Sequence, residues 1–143
     1  VDGEERTLCV HRKGATRAFP PGHQEVPEDY REVGQPVLVP GDMGTASYVL
    51  AGCSDAMDRT WGSSCHGAGR VMSRKGAVKK ARNRNISQEL RSKGIIVRSE
   101  GRDTLAEEMS DAYKDVESVV RVLDDSGITR KVARLQPLGV VKG

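Results

Sequence analysis

The sequence predicts an α+β domain, on three observations. Two short apolar runs of strand length, Pro36-Val37-Leu38-Val39 and Ser47-Tyr48-Val49-Leu50, flank a turn-rich loop, Pro40-Gly41-Asp42-Met43-Gly44. A β-branched run, Ile95-Ile96-Val97, follows a stretch of helical composition over 71–90. The span 104–123 carries the strongest helical pattern. The mixture of both kinds points to α+β, with mixed sheets and flanking helices.

Each element has a local reason. Thr7-Leu8-Cys9-Val10 reads as a strand that runs into the basic loop 11–19. Phe19-Pro20-Pro21-Gly22 breaks regular structure, and the polar segment 24–32 reads as a loop or a single turn. Pro36–Val39 reads as a buried strand and Ser47–Leu50 as the next. Asn83 and Asn85 can split the helical stretch 71–90. Thr104 is placed to cap the helix 104–123, and Glu107 three residues on completes a capping box. Gly127 lies just past its end, where a terminating glycine is expected. Tyr113-Lys114-Asp115 can divide that span into two helices. Pro137 interrupts 132–141, which predicts an edge strand or two pieces. No internal repeat and no low-complexity segment occurs.

Composition narrows the class. The 143 residues suit one domain or part of one. With 36% hydrophobic and only 3% aromatic residues, the core is expected to be modest. Lys and Arg number 23 against 20 Asp and Glu, a net charge of +3, too mild to argue for nucleic acid by itself. No apolar stretch is long enough to span a membrane, and no signal-like leader is present. Cys9, Cys53 and Cys65 form an odd set without paired spacing, which fits a reducing compartment and a cytoplasmic location. Cys9 and Cys53 are expected to be small buried residues. Cys65 could ligate a metal or react, with packing the preferred reading. The start at Val1 and the apolar ending Val140-Val141-Lys142-Gly143 lead to the expectation of the C-terminal portion of a longer protein.

Four places could carry chemistry. In Ser64-Cys65-His66-Gly67-Ala68-Gly69-Arg70 an imidazole sits among small residues. Such a bend can aim backbone N–H groups at an anion, and a histidine beside it could attack phosphorus. The same residues also fit a loop histidine beside a glycine turn. From Arg70 to Arg84 there follow seven basic residues with no acid between them: Arg70, Arg74, Lys75, Lys79, Lys80, Arg82 and Arg84. Arg70 and Arg74 would share a helical face at i, i+4. The run is either a solvated face or a partner for a polyphosphate or nucleic-acid backbone. The loop 11–19 carries Arg12, Lys13 and Arg17 and suits phosphate oxygens or plain solvent. In Pro40-Gly41-Asp42-Met43-Gly44-Thr45-Ala46-Ser47, Asp42 and Ser47 offer polar contacts to a base or sugar, or the loop is a simple turn. At the far end, Tyr113 could stack on a base or pack a helix. Lys142 follows an apolar run that would bury the terminus, and could make a specific contact or fray.

Taken together, in this order and over essentially the whole chain, these runs resemble the C-terminal half of RtcB-type RNA ligases. The resemblance rests on His11-Arg12-Lys13-Gly14-Ala15-Thr16-Arg17-Ala18, Pro40-Gly41-Asp42-Met43-Gly44-Thr45-Ala46-Ser47-Tyr48, Cys65-His66-Gly67-Ala68-Gly69-Arg70 and the ending Leu135-Gln136-Pro137-Leu138-Gly139-Val140-Val141-Lys142-Gly143. The pairing of the His66 motif with the Pro40 loop is the specific part.

The resemblance implies a GTP- and manganese-dependent ligase that joins RNA 2′,3′-cyclic phosphate or 3′-phosphate ends to 5′-hydroxyl ends in tRNA splicing and RNA repair. It implies that His66 carries GMP covalently. It implies that Pro40, Gly41, Asp42, Met43, Ser47, Gly67, Ala68, Gly69, Tyr113 and Lys142 bind GTP, with Tyr113 stacked on guanine. Lys13, Arg17, Arg70 and Arg74 would meet RNA phosphates or transition-state charge. Asp42 stands where some family members have serine. Partners implied are tRNA halves or broken RNA ends, guanine nucleotide, an activating protein of the archease kind and the N-terminal half. The family's manganese ligands lie in that half. No metal role passes to His11 or His23, so residues 1–143 are expected to form the C-terminal portion of one catalytic domain, inactive alone. Two other readings stand beside this one. The chain could be a non-catalytic guanine-nucleotide or RNA-binding remnant, or an unrelated phosphohistidine phosphotransferase that would not need Tyr113 or Lys142.

Overall fold

The computed structural model describes residues 4–143. Among these residues, three small sheets and five short helices share two aliphatic cores. The principal sheet is antiparallel, in the order β2 (Pro36–Val39), β3 (Ser47–Gly52), β6 (Thr129–Leu135). A ribbon pairs β1 (Ala15–Arg17) with β4 (Ser63–Cys65). A parallel pair joins β5 (Ile96–Ser99) to β7 (Gly139–Lys142). The helices are α1 (Asp55–Thr60), α2 (Arg74–Lys80), α3 (Ile86–Ser92), α4 (Arg102–Glu107) and α5 (Val116–Asp125). Single 3-10 turns cover Glu28–Tyr30 and Ser110–Ala112.

Alternation explains the hairpin β2–β3. Val37 and Val39 point inward and Leu38 outward, and β3 answers with Tyr48 and Leu50 buried. On α5, Val116, Val120 and Leu123 recur at helical spacing and seal this sheet. The first core gathers these residues with Ala46, Ala56 and Ala68. The second gathers Ala77, Ala81, Ile86, Leu90, Ile95, Val97, Leu105, Met109 and Met43 from the surfaces of α2, α3, α4 and β5. The loop between β2 and β3 therefore straddles both cores, giving Met43 to one and Ala46 to the other.

Several expectations hold. The helical stretch divides as foreseen: α2 stops before Asn83, and Asn85 opens α3 by accepting from the Gln88 N–H at 3.1 Å, a cap that contributes about 1 kcal/mol. The second span is also two helices, with Asp115 capping α5. Pro137 separates β6 from β7.

Others need correction. Residues 7–10 form no strand and are exposed, Cys9 included. The strand comes later, at Ala15–Arg17, where β4 supplies a partner. Thr104 does not cap α4. The helix begins at Arg102 behind Gly101, and the Thr104 hydroxyl donates to the Gly101 carbonyl at 3.0 Å. Arg70 and Arg74 do not share a helical face, because Ser73 caps α2 and its first residue is Arg74. Cys53 is half-buried; burial raises its pKa, Arg130 pulls the other way, and Asp124 and Asp55 add to the rise, so it stays a thiol. Cys65 is half-buried and packs against the first core, as the packing reading expected.

Candidate functional site

Three segments far apart in sequence enclose one open cavity of about 430 Å³. The β2–β3 loop lines it with Pro40, Gly41, Asp42, Met43 and Ser47. The turn after α4 contributes Glu108 and Tyr113, and the chain end contributes Pro137, Gly139, Val140 and Lys142. Seven residues nominated from sequence thus meet in one cavity: Pro40, Gly41, Asp42, Met43, Ser47, Tyr113 and Lys142. The parallel pairing of β7 with β5 delivers Lys142 beside Ser99.

The loop is shaped by its own polar groups. The Asp42 carboxylate accepts from the Gly44 N–H at 2.8 Å, from the Thr45 hydroxyl at 2.8 Å and from the Ser110 hydroxyl. With three donors already on it, Asp42 mainly locks the loop to the 110–112 turn. Ser47 accepts from the Gly41 N–H at 3.3 Å and keeps its own proton to donate. Gly41 is required by closeness: a methyl group there would lie 2.1 Å from the Ala46 carbonyl oxygen.

His66, Gly67, Ala68 and Gly69 do not line this cavity. The run approaches it at Pro40: a methyl group on Gly67 would lie 3.9 Å from the Pro40 carbonyl oxygen. At its other end, Gly69 takes φ +76°, a conformation favoured by glycine, and turns the chain. Its carbonyl accepts from the Lys114 N–H at 2.9 Å, Arg70 bridges Tyr113, and the Val71 N–H donates to the Ala112 carbonyl at 2.8 Å. The run is therefore tied to Tyr113 at one end and approaches Pro40 at Gly67. His66 itself is exposed, and no side-chain partner holds its imidazole. Ala68 points into the first core, so only its backbone is free to face a ligand.

The cationic residues differ in freedom. The β1–β4 ribbon ends at Ala15↔Cys65, so Gly14-Lys13 and His66-Gly67 leave the same end of it. Lys13 is exposed there. Arg17 is at the opposite end, paired with Glu25 at 3.3 Å and 5.6 Å over the Phe19 ring. Arg70 is committed to protein: it donates to the Met72 carbonyl at 3.0 Å, the Glu107 carbonyl at 2.7 Å and the Tyr113 hydroxyl at 2.9 Å, and it pairs with Glu108 at 3.4 Å. Arg74 is exposed and reaches Glu108 at 3.6 Å. Arg70 and Arg74 converge through this carboxylate, not through a helix face.

Glu108 is the residue sequence reading missed. Its only local mark is an acid just past α4, like many solvated acids; the basic residues that surround it come from distant segments. It accepts from the Tyr113 hydroxyl and faces Arg70, Arg74 and the Lys142 charge. Burial pushes its pKa up, but the Tyr113 hydrogen bond and the Lys142, Arg70 and Arg74 charges outweigh that and hold it below the usual range. Burial and the carboxylate raise the Tyr113 pKa, against an opposing pull from Arg70, so the phenol stays a donor. The Arg70 guanidinium lies 4.9 Å from the Tyr113 ring centre and covers one ring face.

A pH consequence follows. A carboxylate with a depressed folded-state pKa stabilises the fold above its unfolded value, and the gain disappears as pH falls through the folded value. Glu108 has that sign, as do Asp111, through Lys80 and Arg84, and Glu89, through Arg84. The melting temperature should therefore drop as pH falls below about 4, the ordinary carboxylate range. Glu108→Gln should flatten part of that drop in a thermal melt followed across pH. An unchanged pH profile in the variant would show that Glu108 is not held as the structure has it.

The family model described as tRNA-splicing ligase RtcB matches residues 1–143. The chain belongs to the RtcB family. It is 59% identical over all its 143 residues to the tRNA-splicing ligase RtcB of Archaeoglobus fulgidus, where it covers 30% of the relative's length. To the RtcB of Thermococcus kodakarensis it is 56% identical, again over the full chain and 30% of the relative. To that of Pyrococcus abyssi it is 58% identical over the full chain and 16% of the relative. The chain thus spans a third or less of these RtcB relatives. Among the described residues, no group of three or more His, Cys, Asp or Glu could hold a metal ion. These donors do not fit a manganese site. No helix among the described residues is long and apolar enough to cross a membrane.

Proposed function

We propose that this chain is the nucleotide-accepting portion of a GTP-dependent RNA ligase, with His66 as the residue that carries GMP. The observation that carries this reading is the approach of Gly67 to Pro40, close enough that an added methyl group would meet Pro40, which brings an exposed imidazole, unpartnered among the described residues, near a cavity lined by Ser47, Tyr113 and Lys142. Family membership supports the reaction class.

The chemistry then follows from the groups. An imidazole nitrogen of His66 attacks the α-phosphorus of GTP. A P–N bond forms, pyrophosphate leaves with the electrons of the broken P–O bond, and the other ring nitrogen releases its proton. An oxygen of the RNA 3′-phosphate displaces the imidazole and takes the guanylate. The RNA 5′-hydroxyl attacks that 3′-phosphorus, loses its proton and expels GMP. A 2′,3′-cyclic phosphate must first be opened by water. Tyr113 offers guanine its uncovered face, and Lys142 brings positive charge to the cavity. Lys13 meets RNA phosphate beside His66, and Arg74 extends that contact. Manganese ligands, the RNA ends and an activating protein of the archease kind would be met by the remaining two thirds of the family's length.

The decisive test is GTP labelled at the α-phosphate, with manganese, with and without a supplied remainder of the family's length. An acid-labile adduct at His66 that requires the remainder supports the reading. No adduct, with both pieces folded and associated, leaves a guanine-nucleotide or RNA-binding remnant. Within this reading Tyr113→Ala should weaken GTP binding about tenfold or more, the order of one lost stacking contact, while RNA affinity changes little. Equal losses in two titrations would mean a folding defect instead.

A further inference from the structure

The basic run after His66 separates into two populations once its ion pairs are traced. Arg70 and Arg74 are held by Glu108, Lys80 by Asp111 at 2.6 Å, and Arg84 by Glu89 at 2.7 Å and Asp111 at 3.1 Å. Arg74 and Lys80 tie α2 to Glu108 and Asp111, Arg70 joins Glu108 from the loop before α2, and Arg84 joins Asp111 to Glu89 of α3. Among the described residues, Lys75, Lys79 and Arg82 have no acidic partner, and all three are exposed. Their spacing, i, i+4 and i+7, sets them along one side of α2 and its C-terminal turn.

The stripe has a direction. It starts next to Arg74, whose partner Glu108 lines the cavity beside His66. It ends at Arg82, which lines a second cavity of about 270 Å³ between α2, α3 and α4. Arg102, Asn85 and Ser87 line this cavity and continue into an adjoining groove with Arg91. Arg102 is oriented by donating to the Arg84 carbonyl at 3.4 Å. Asp103 is the one acid lining either space. From Lys75 to Arg82 the helix rises about 10 Å. A nucleic-acid strand in helical form carries a phosphate about every 3.4 Å of axis, so three side chains match about three phosphates. Nothing in the fold of this chain uses these charges.

We infer that Lys75, Lys79 and Arg82 form a track for the sugar-phosphate backbone of the RNA body, leading away from the joining site towards Arg102 and Arg91. This rests on the RNA ligase reading above. Backbone contacts of this kind carry no base preference and show themselves through salt.

The test compares the ligase assembled over the family's whole length with its Lys75→Gln/Lys79→Gln/Arg82→Gln form, using a fluorescent single-stranded RNA with a 3′-phosphate. Binding is titrated at several salt concentrations, and GMP attachment to His66 is measured in parallel. The slope of log affinity against log salt should become shallower by about 2, three lost contacts at about 0.7 each. Affinity at physiological salt should fall about tenfold or more. GMP attachment should be unchanged, since none of the three lines the cavity beside His66. An unchanged slope with attachment intact overturns the track and leaves the ligase reading standing. Absence of attachment in the unaltered protein overturns the ligase reading, while the slope comparison still decides the track. Arg102→Gln gives a second, independent variant; a slope change there of about 0.7 supports the continuation into the groove, and none removes it.

Discussion

Replacing His66 with alanine should abolish GMP attachment and leave the fold intact. The imidazole is exposed, so its loss removes no side-chain hydrogen bond among the described residues. The backbone turn around it is set by Gly69 and by the links to Ala112 and Lys114, none of which needs the side chain. If His66 is the nucleophile proposed above, labelling should fall at least a thousandfold, in line with the order seen when such groups are removed. The measurement is acid-labile incorporation from α-labelled GTP in the assembled ligase, beside a thermal melt of the same variant. Full labelling with an unchanged melt would remove His66 from its role and send the search to another nucleophile.

The second large effect is expected from Gly41→Ala. A methyl group at this position meets backbone on the far side of the loop, the Ala46 carbonyl oxygen at 2.1 Å, and the Thr45 hydroxyl at 2.6 Å. Backbone cannot rotate aside as a side chain can, so the loop must open. Overpacking of this kind costs about 1–3 kcal/mol. Opening would break the Gly41 bond to Ser47 and shift Asp42, which anchors the loop to Ser110. The β2–β3 pairing begins only at Val39↔Tyr48, outside the loop, and should persist. GTP affinity should therefore fall about a hundredfold while the circular dichroism spectrum stays near that of the parent. Undiminished affinity by calorimetry would mean that the Pro40–Ser47 loop is not part of the nucleotide site.

Local pattern made much of this architecture legible. Short apolar runs and the turn between them located β2 and β3, β-branching located β5, and Pro137 forecast the break between the last two strands; the outward turn of Leu38 was not read from the run. What escaped depends on distant partners. Ala15–Arg17 is polar and basic and becomes a strand only because Ser63–Cys65 lies beside it, and neither segment has a strand pattern of its own. α1 buries a single residue, Ala56, and so has no periodicity to detect. The site divided in the same way. Glycine turns, His66, Tyr113 and Lys142 were visible as residue types in unusual company. Glu108 was not, because its importance comes from Arg70, Arg74, Tyr113 and Lys142 meeting around it. The same ion pairs changed the meaning of the basic run, since four of its seven charges face carboxylates more than twenty residues away or in the following helix.

The pairing of strands also sets an order in time. β3 finds one neighbour in β2 at once, but the other, β6, pairs Leu135 with Ser47, and β5 waits for Gly139 to reach Ile96. Closing such long loops comes late in folding and is slow. A nascent chain can form the β2–β3 hairpin early, yet the cavity closes only once residues 137–142 are there to reach Tyr113. His66 therefore emerges long before the nearby cavity can close, and a product halted short of Pro137 would expose that imidazole without the lysine that completes the cavity lining.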